Sequence, residues 1–347
     1  MSGDETLVPL VNPGDPLQMT YLPAAYGDGR FEVVRRLATA GQGYTLLVRD
    51  TWTGGYGVLK GLWWPVKALN EPQRATIALE RNNAQIRQGV EAVRRATQLN
   101  QQAPVVVTTV HDPSPAQRAM GHADVGDELF AVQQFVGVGA EAASTLRTII
   151  EERKAEGRRF RELELLDLAA QLCDTLAALH GEWRARDGGR SRYWVHADIK
   201  PGNILVLGPP WRYILIDYDG AVEQGAQIQL TTEPYSPPVR VGGQRERDAA
   251  DERFDIYMFG ATLAEAAGLQ RLDDRTREQL YGSKQEHADG KKVLRSLGYG
   301  PILTTVIASC MAPPNTRFRD AGLVAADLAL ARNAEVLSGL LTSDDWT

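Results

Sequence analysis

One short stretch of the sequence gathers the residue types that phosphoryl transfer requires: Val195-His196-Ala197-Asp198-Ile199-Lys200-Pro201-Gly202-Asn203-Ile204-Leu205. Asp198 is a carboxylate able to orient an attacking hydroxyl and accept its proton. Lys200 is a cation able to offset charge on a transferring phosphoryl group, and Asn203 offers a neutral oxygen to a metal. After Asn203 the apolar run Ile214-Leu215-Ile216 ends in Asp217, a second oxygen ligand at the end of a buried strand. Carboxylate oxygens suit a hard cation such as Mg²⁺, whose shell phosphate oxygens then complete. Singly, each residue has a plain structural reading: a turn or helix-capping Asp, a surface Lys, a turn Asn. It is their concentration in one loop, with Asp217 downstream, that points to chemistry.

The flanking sequence supplies elements to position this loop. Leu163 to His180 carries Leu165, Leu166, Ala169, Leu172, Leu176 and Leu179 on one stripe, as expected of a buried helix. Further helices are expected over Phe254–Ala267, Asp274–Tyr281, Lys291–Leu297, Ile302–Met311 and Ala321–Asn333. Earlier in the chain, Phe31 to Lys60 reads as β-rich. A long helix follows from Asn70-Glu71-Pro72 to about Gln98, with Ile86, Val90 and Val93 at helical spacing. Pro104 to Val110 and Phe130 to Val136 read as strands, and Pro113 to Asp127 and Glu182 to Arg192 as inserted loops.

Composition bounds the alternatives. The chain has 347 residues, 43% of them hydrophobic and 24% charged, which is ample for a buried core. A net charge of −6 argues against nucleic acid or an anionic membrane surface as the main partner. The basic run from Arg153 to Arg161 reads as a solvated helix face. Cys173 and Cys310 form no paired motif, and the five histidines show no ligand spacing, so a reducing, cytoplasmic setting without a disulfide framework or a structural zinc is expected. Neither a signal peptide nor an apolar run long enough to span a bilayer is visible.

The pattern His196, Asp198, Lys200, Pro201, Asn203, followed by Asp217-Tyr218, resembles the catalytic and metal-binding loops of eukaryotic-like protein kinases. Lys200, two residues after the Asp, is similar to the Ser/Thr branch. The rest of the chain falls into the same order. Leu37 to Thr45, with Gly41 and Gly43, resembles the Gly-rich loop, and Gly57-Val58-Leu59-Lys60 the strand whose Lys contacts the α- and β-phosphates. Phe130 to Val136 resembles the hinge that receives adenine, Thr231 to Pro238 the end of the activation segment, Asp255 to Gly260 the helix that braces the catalytic loop, and Arg317 the late Arg of the large lobe. The resemblance runs from about Phe31 to Asn333 and, with Ala-, Arg- and Gly-rich usage, suggests a bacterial member.

This resemblance implies an α+β, bilobal protein kinase fold: an arm over 1–28, a small β-rich lobe with one long helix over 29–136, a larger mainly helical lobe over 137–335, and a tail over 336–347. It implies ATP and Mg²⁺ as cofactors and a protein substrate, leaving the oligomeric state open. Asp198 and Lys200 would be catalytic, Asn203 and Asp217 metal ligands, and Gly41, Gly43 and Lys60 nucleotide contacts. A helix Glu would pair with Lys60; Glu80 and Glu91 both qualify, and Glu91 leaves the better-fitting loop before the next strand. The resemblance also implies that His196 packs beneath Tyr218 and that Asp255 bonds the catalytic loop.

Several positions depart from the family. Ala197 replaces the Arg that receives a phosphorylated activation segment, so activity without such phosphorylation is expected. Asp219 stands in place of a Gly, and Ala38 and Ala40 replace two loop glycines. Val239 stands where a Glu would pair with Arg317, leaving Arg317 either without a partner or paired with Glu246 or another acid. These departures keep two alternatives in view: a pseudokinase that binds nucleotide as a scaffold, and a small-molecule kinase of related fold. Retention of Lys60, Asp198, Asn203 and Asp217 weighs against the first, and Lys200-Pro201 with the Asp255 helix against the second.

Overall fold

The computed structural model describes residues 23–39, 43–64, 71–99, 104–181, 193–238 and 246–342. The expected arm falls almost wholly outside these residues, as do Gly41, Val239 and the insertion over 182–192. The chain divides into two compact units: the residues up to Arg94 with Pro104–Ala142, and Arg95–Ala103 with Ala143–Thr347. The first is built on an antiparallel sheet and the second is mostly helical, a mixed α/β composition compatible with a kinase fold.

In the first unit, strands β1 (Ala25–Tyr26), β2 (Phe31–Thr39), β3 (Gly43–Asp50), β4 (Tyr56–Leu62), β5 (Val106–Pro113) and β6 (Asp127–Gln134) form one sheet in the order β1-β2-β3-β4-β6-β5. Alternation along β3 sends Tyr44, Leu46 and Val48 to one face, where they join Leu59, Phe130 and Val132 in a single core. Helix α1 (Pro72–Leu99) turns Ala75, Ala78, Leu79, Ile86, Val90 and Val93 inward at helical spacing. Asn82 and Asn83 interrupt that stripe although both are buried. The segment expected to be a loop between β5 and β6 instead folds into helix α2 (Pro115–Met120). Ser114 and Gln117 cap its first turn reciprocally, with Pro115 at the first helical position. A small hairpin of β7 (Gly137–Val138) and β8 (Glu141–Ala142) closes the unit.

The second unit begins with β9 (Ser144–Thr145), α3 (Leu146–Ala155) and the expected buried helix α4 (Glu162–His180). Two short sheets follow: β10 (Trp194–Val195) with β13 (Val222–Glu223), and β11 (Ile204–Leu207) between β12 (Arg212–Leu215) and β9. Helices α5 (Glu252–Gly268), α6 (Asp274–Leu280), α7 (Lys284–Arg295), α8 (Pro301–Cys310) and α9 (Ala321–Thr342) complete it. Helix α5 is buried on nearly every side from Phe254 to Ala267, as befits the central element of an all-round helical core. Helix α7 starts seven residues before the expected Lys291, capped by Ser283 and Glu286, and runs through Gly290. That glycine is required there because a Cβ would sit 2.9 Å from Leu280 Cγ. Cys173 and Cys310 are buried free thiols, and no described helix is long and apolar enough to cross a membrane.

Candidate active site

The loop from His196 to Asn203 is stretched between two antiparallel strand pairs, leaving β10 and entering β11. Its backbone is fixed from below by Asp255, fully buried on α5. The Asp255 carboxylate accepts the backbone N–H of His196 (2.7 Å) and of Ala197 (2.8 Å), and lies 2.9 Å from Nε2 of His180 at the end of α4. Ala197 sits at φ +63°, a left-handed conformation that costs an ordinary L-residue about 1–2 kcal/mol. Two charge-assisted bonds to one carboxylate are what hold it there. Thr262 Oγ1, also on α5, donates to Ile199 O at 3.4 Å. Asp255 thus stands where the resemblance put it.

Above this brace the polar side chains converge. Asp198 Oδ2 accepts Lys200 Nζ at 2.8 Å and Asn203 Nδ2 at 2.9 Å, and Asp198 Oδ1 accepts Thr232 Oγ1 at 2.6 Å. Lys200 Nζ also donates to Thr232 Oγ1 at 2.9 Å. One carboxylate is therefore held by three different side chains, which fixes its rotamer. Asn203 Nδ2 donates a second bond to Asp198 O at 2.8 Å. With both amide hydrogens so engaged, the polar atom left on Asn203 is its oxygen, the atom a cation would take.

Asp217 lies two residues past the end of β12. Ile216 N donates to Asn203 O at 2.8 Å, so the end of this strand is tied to the His196–Asn203 loop. Asp217 is itself left-handed, at φ 68°, and half-buried. Backbone strain of this kind at a polar residue is common where a side chain must be aimed rather than packed. Beneath it the His196 and Tyr218 rings lie 4.6 Å apart, both fully buried, and His196 Nε2 is 3.2 Å from Ile216 O. Burial pushes the His196 pKa below its ordinary value, so the ring is neutral and packs rather than shuttling protons. Burial likewise raises the Tyr218 phenol well above its usual range.

The oxygen donors present fit Mg²⁺. It is held by one or two protein ligands plus substrate phosphates, and no cluster of three or more His, Cys, Asp or Glu suited to a metal occurs among the described residues. Asn203 Oδ1 and Asp217 would supply such a pair.

The end of the segment after Asp217 is also anchored. Arg277 Nη2 donates to Glu233 O (3.0 Å) and Ser236 O (2.8 Å). Tyr235 donates to Glu265 at 2.6 Å, and Arg147 reaches both. Arg317, whose side chain is fully buried, pairs with Glu246 through both terminal nitrogens at 2.7 and 3.0 Å. Glu246 also accepts Tyr281 Oη at 2.7 Å. Arg317 thus has a carboxylate partner, the acid that sequence considerations offered in place of Val239.

The remaining expected site residues lie in the first unit. Lys60 is 7% exposed on β4, paired in register with Ala131 of β6 and Thr45 of β3. Glu80 and Glu91 are both exposed on α1. Gly43 begins β3 opposite Leu62, and a Cβ there would run into Gly61 O, so sheet packing by itself demands a glycine. Gly41 lies outside the described residues. The contact sequence reasoning missed is Thr232. It lies in the stretch that resembles the end of the activation segment, where its only signal is a hydroxyl just ahead of Glu233-Pro234-Tyr235.

No protein-family model matches the chain. It is similar to the serine/threonine-protein kinase YabT of Bacillus subtilis (strain 168), with 31% identity over 92 residues, 26% of this chain and 24% of that protein. The chain thus spans about a quarter of the length of the curated relative it matches. This partial likeness indicates a relationship to protein kinases and, at that level, a kinase-like function.

Proposed function

We propose that this chain is an ATP- and Mg²⁺-dependent Ser/Thr protein kinase of bilobal fold, with 29–136 as the small lobe and 137–335 as the large one. The observation that carries the reading is the Asp198 carboxylate, held at once by Lys200, Asn203 and Thr232. A carboxylate so fixed is suited to receive a substrate hydroxyl in one orientation and to take its proton as the oxygen attacks phosphorus. Lys200, already beside it, offsets charge on the transferring group. Asn203 Oδ1 and Asp217 would hold Mg²⁺, which supplies neutralisation of phosphate charge when bound. Lys60, with Gly41 and Gly43, would contact the nucleotide phosphates, and Glu91 is the proposed partner of Lys60 in that bound state.

Ala197 supports a further element of the reading. With no Arg at that position, a phosphate on the activation segment lacks its receptor, and the segment's end is anchored instead by Arg277 and by the Arg317–Glu246 pair. Activity is therefore independent of phosphorylation there.

The test is transfer of radiolabelled γ-phosphate from ATP to a generic protein substrate, with Mg²⁺ or with chelator, followed by identification of phosphorylated residues. Mg²⁺-dependent label on Ser or Thr is expected. Label on a small metabolite alone, or nucleotide-induced thermal stabilisation with no transfer, overturns the assignment.

A further inference from the structure

Within the first unit a carboxyl group lies buried where the proposed chemistry has no use for it. Glu128, second residue of β6, is 1% exposed. Its Oε1 accepts Trp64 Nε1 at 3.0 Å and Asn82 Nδ2 at 3.3 Å. Trp64 lies just beyond the end of β4, four residues after Lys60, and Asn82 is on the inward stripe of α1. Next to it, Asn83 Nδ2 donates to Asp127 O at 3.3 Å, and Asn83 Oδ1 accepts Leu129 N at 2.7 Å. Two consecutive asparagines of the helix therefore grip three consecutive residues of the strand. Leucine ridges can slide against a sheet at small loss. Directed amide bonds at this depth cannot shift without leaving polar groups unpaired.

The environment of Glu128 favours its neutral form. Oε2 is buried and receives no donor from the described residues. The charged and titratable groups that face it are Arg118 of α2, Tyr26 of β1 and Asp112 of β5. Arg118 is shared: its guanidinium lies over the Tyr26 ring, 5.6 Å from the centroid, and 3.6 Å from Asp112. Burial pushes the Glu128 carboxyl up to about 7, against the lowering effect of Trp64, Asn82 and Arg118.

We propose that Glu128 acts as a proton-controlled latch, which holds α1 against β6 and the end of β4 when protonated and loosens that docking when ionised. The latch is independent of the phosphotransfer reading and stands on the burial of Glu128 and on its Oε2, which receives no donor among the described residues. Its sign follows from linkage. The folded-state value is raised above the ordinary 4.5, so the stabilisation is fully present below about 4.5 and is lost as pH rises through about 7.

The test compares the full chain with Glu128→Gln, which preserves shape and the Oε1 acceptor but cannot ionise. Hydrogen exchange of the Leu129 amide, bonded to Asn83, reports opening of the latch. Normalised to Glu128→Gln, exchange in the parent protein should rise with pH across that interval, at most tenfold per pH unit and so by no more than about 300-fold in all. A second measurement needs no variant: the side-chain carboxyl ¹³C signal of Glu128 in labelled protein should titrate with a midpoint near 7. A midpoint below about 5, or a midpoint near 7 with Leu129 exchange that tracks Glu128→Gln at every pH, overturns the proposal.

Discussion

Asp255→Ala takes away, in one step, the acceptor of three buried donors: the backbone N–H groups of His196 and Ala197 and the ring of His180. Each backbone donor left unsatisfied costs about 1–3 kcal/mol, and breaking a buried charged network typically costs about 3–5 kcal/mol. Part of that is recovered, because Ala197 is released from a left-handed conformation worth about 1–2 kcal/mol. A net loss of about 1–4 kcal/mol results, which for a unit of this size lowers Tm by roughly 2–16 °C. Asp255→Asn keeps the shape and one acceptor oxygen but turns an N–H towards one of the loop's own donors, so it should fall between the parent and Ala. Differential scanning calorimetry reads the stability, and the radiolabel assay at a temperature where both proteins are folded reads turnover. Turnover should fall with stability, because Asp198 is two residues from the released backbone. An Asp255→Ala protein that melts within about 2 °C of the parent and transfers phosphoryl groups at the parental rate refutes the reasoning.

Four further outcomes follow from the same geometry. Asp198→Asn should lower turnover by roughly 10² to 10⁴ with little change in Tm, measured by initial rates; parental rates would count against Asp198 as the base. Glu246→Ala leaves the buried Arg317 guanidinium with only the Ala312 and Arg253 carbonyls and should cost about 3–5 kcal/mol in urea unfolding, whereas an unchanged midpoint would show that Arg317 needs no carboxylate. Because burial holds His196 below its ordinary value of 6.5, the unfolded chain takes up the proton first, so stability should fall as pH drops below about 6.5. His196→Gln should remove that part of the slope in Tm against pH. Protein treated with phosphatase should retain full turnover, and a requirement for phosphate on Thr231 or Thr232 would contradict the role given to Ala197.

What could be read from the sequence was what is local in it. His196 to Asn203 lies within eight residues, and the side chains named there do meet around Asp198. The long helix, the buried α4 and most of the later helices declared themselves through periodic apolar stripes. Asp255 lies 59 residues from His196, and no spacing rule connects them; only the likeness of its helix to a known family placed it. Thr232 is 34 residues from Asp198 and went unnoticed as a site residue, since nothing in its neighbours tells a hydroxyl that bonds the Asp198 carboxylate from one that merely ends a turn. Helix α7 began earlier than expected because Gly290 looks like punctuation, whereas it is small to let the helix pass Leu280. Glu128 escaped for a similar reason. A charged residue ahead of Phe130 reads as the edge of a strand, and only the fold reveals Trp64 and Asn82 around it.

The proposed function has Lys60, Asp198, Asn203 and Asp217 serve one metal–triphosphate. Its most direct test is nuclear magnetic resonance of the full chain with one equivalent of Mn²⁺ and a non-hydrolysable ATP analogue. The account predicts that signals of all four residues broaden together, saturate at a single metal–nucleotide per chain, and recover when Mg²⁺ displaces Mn²⁺. Broadening of Asn203 and Asp217 while Lys60 remains sharp would contradict it.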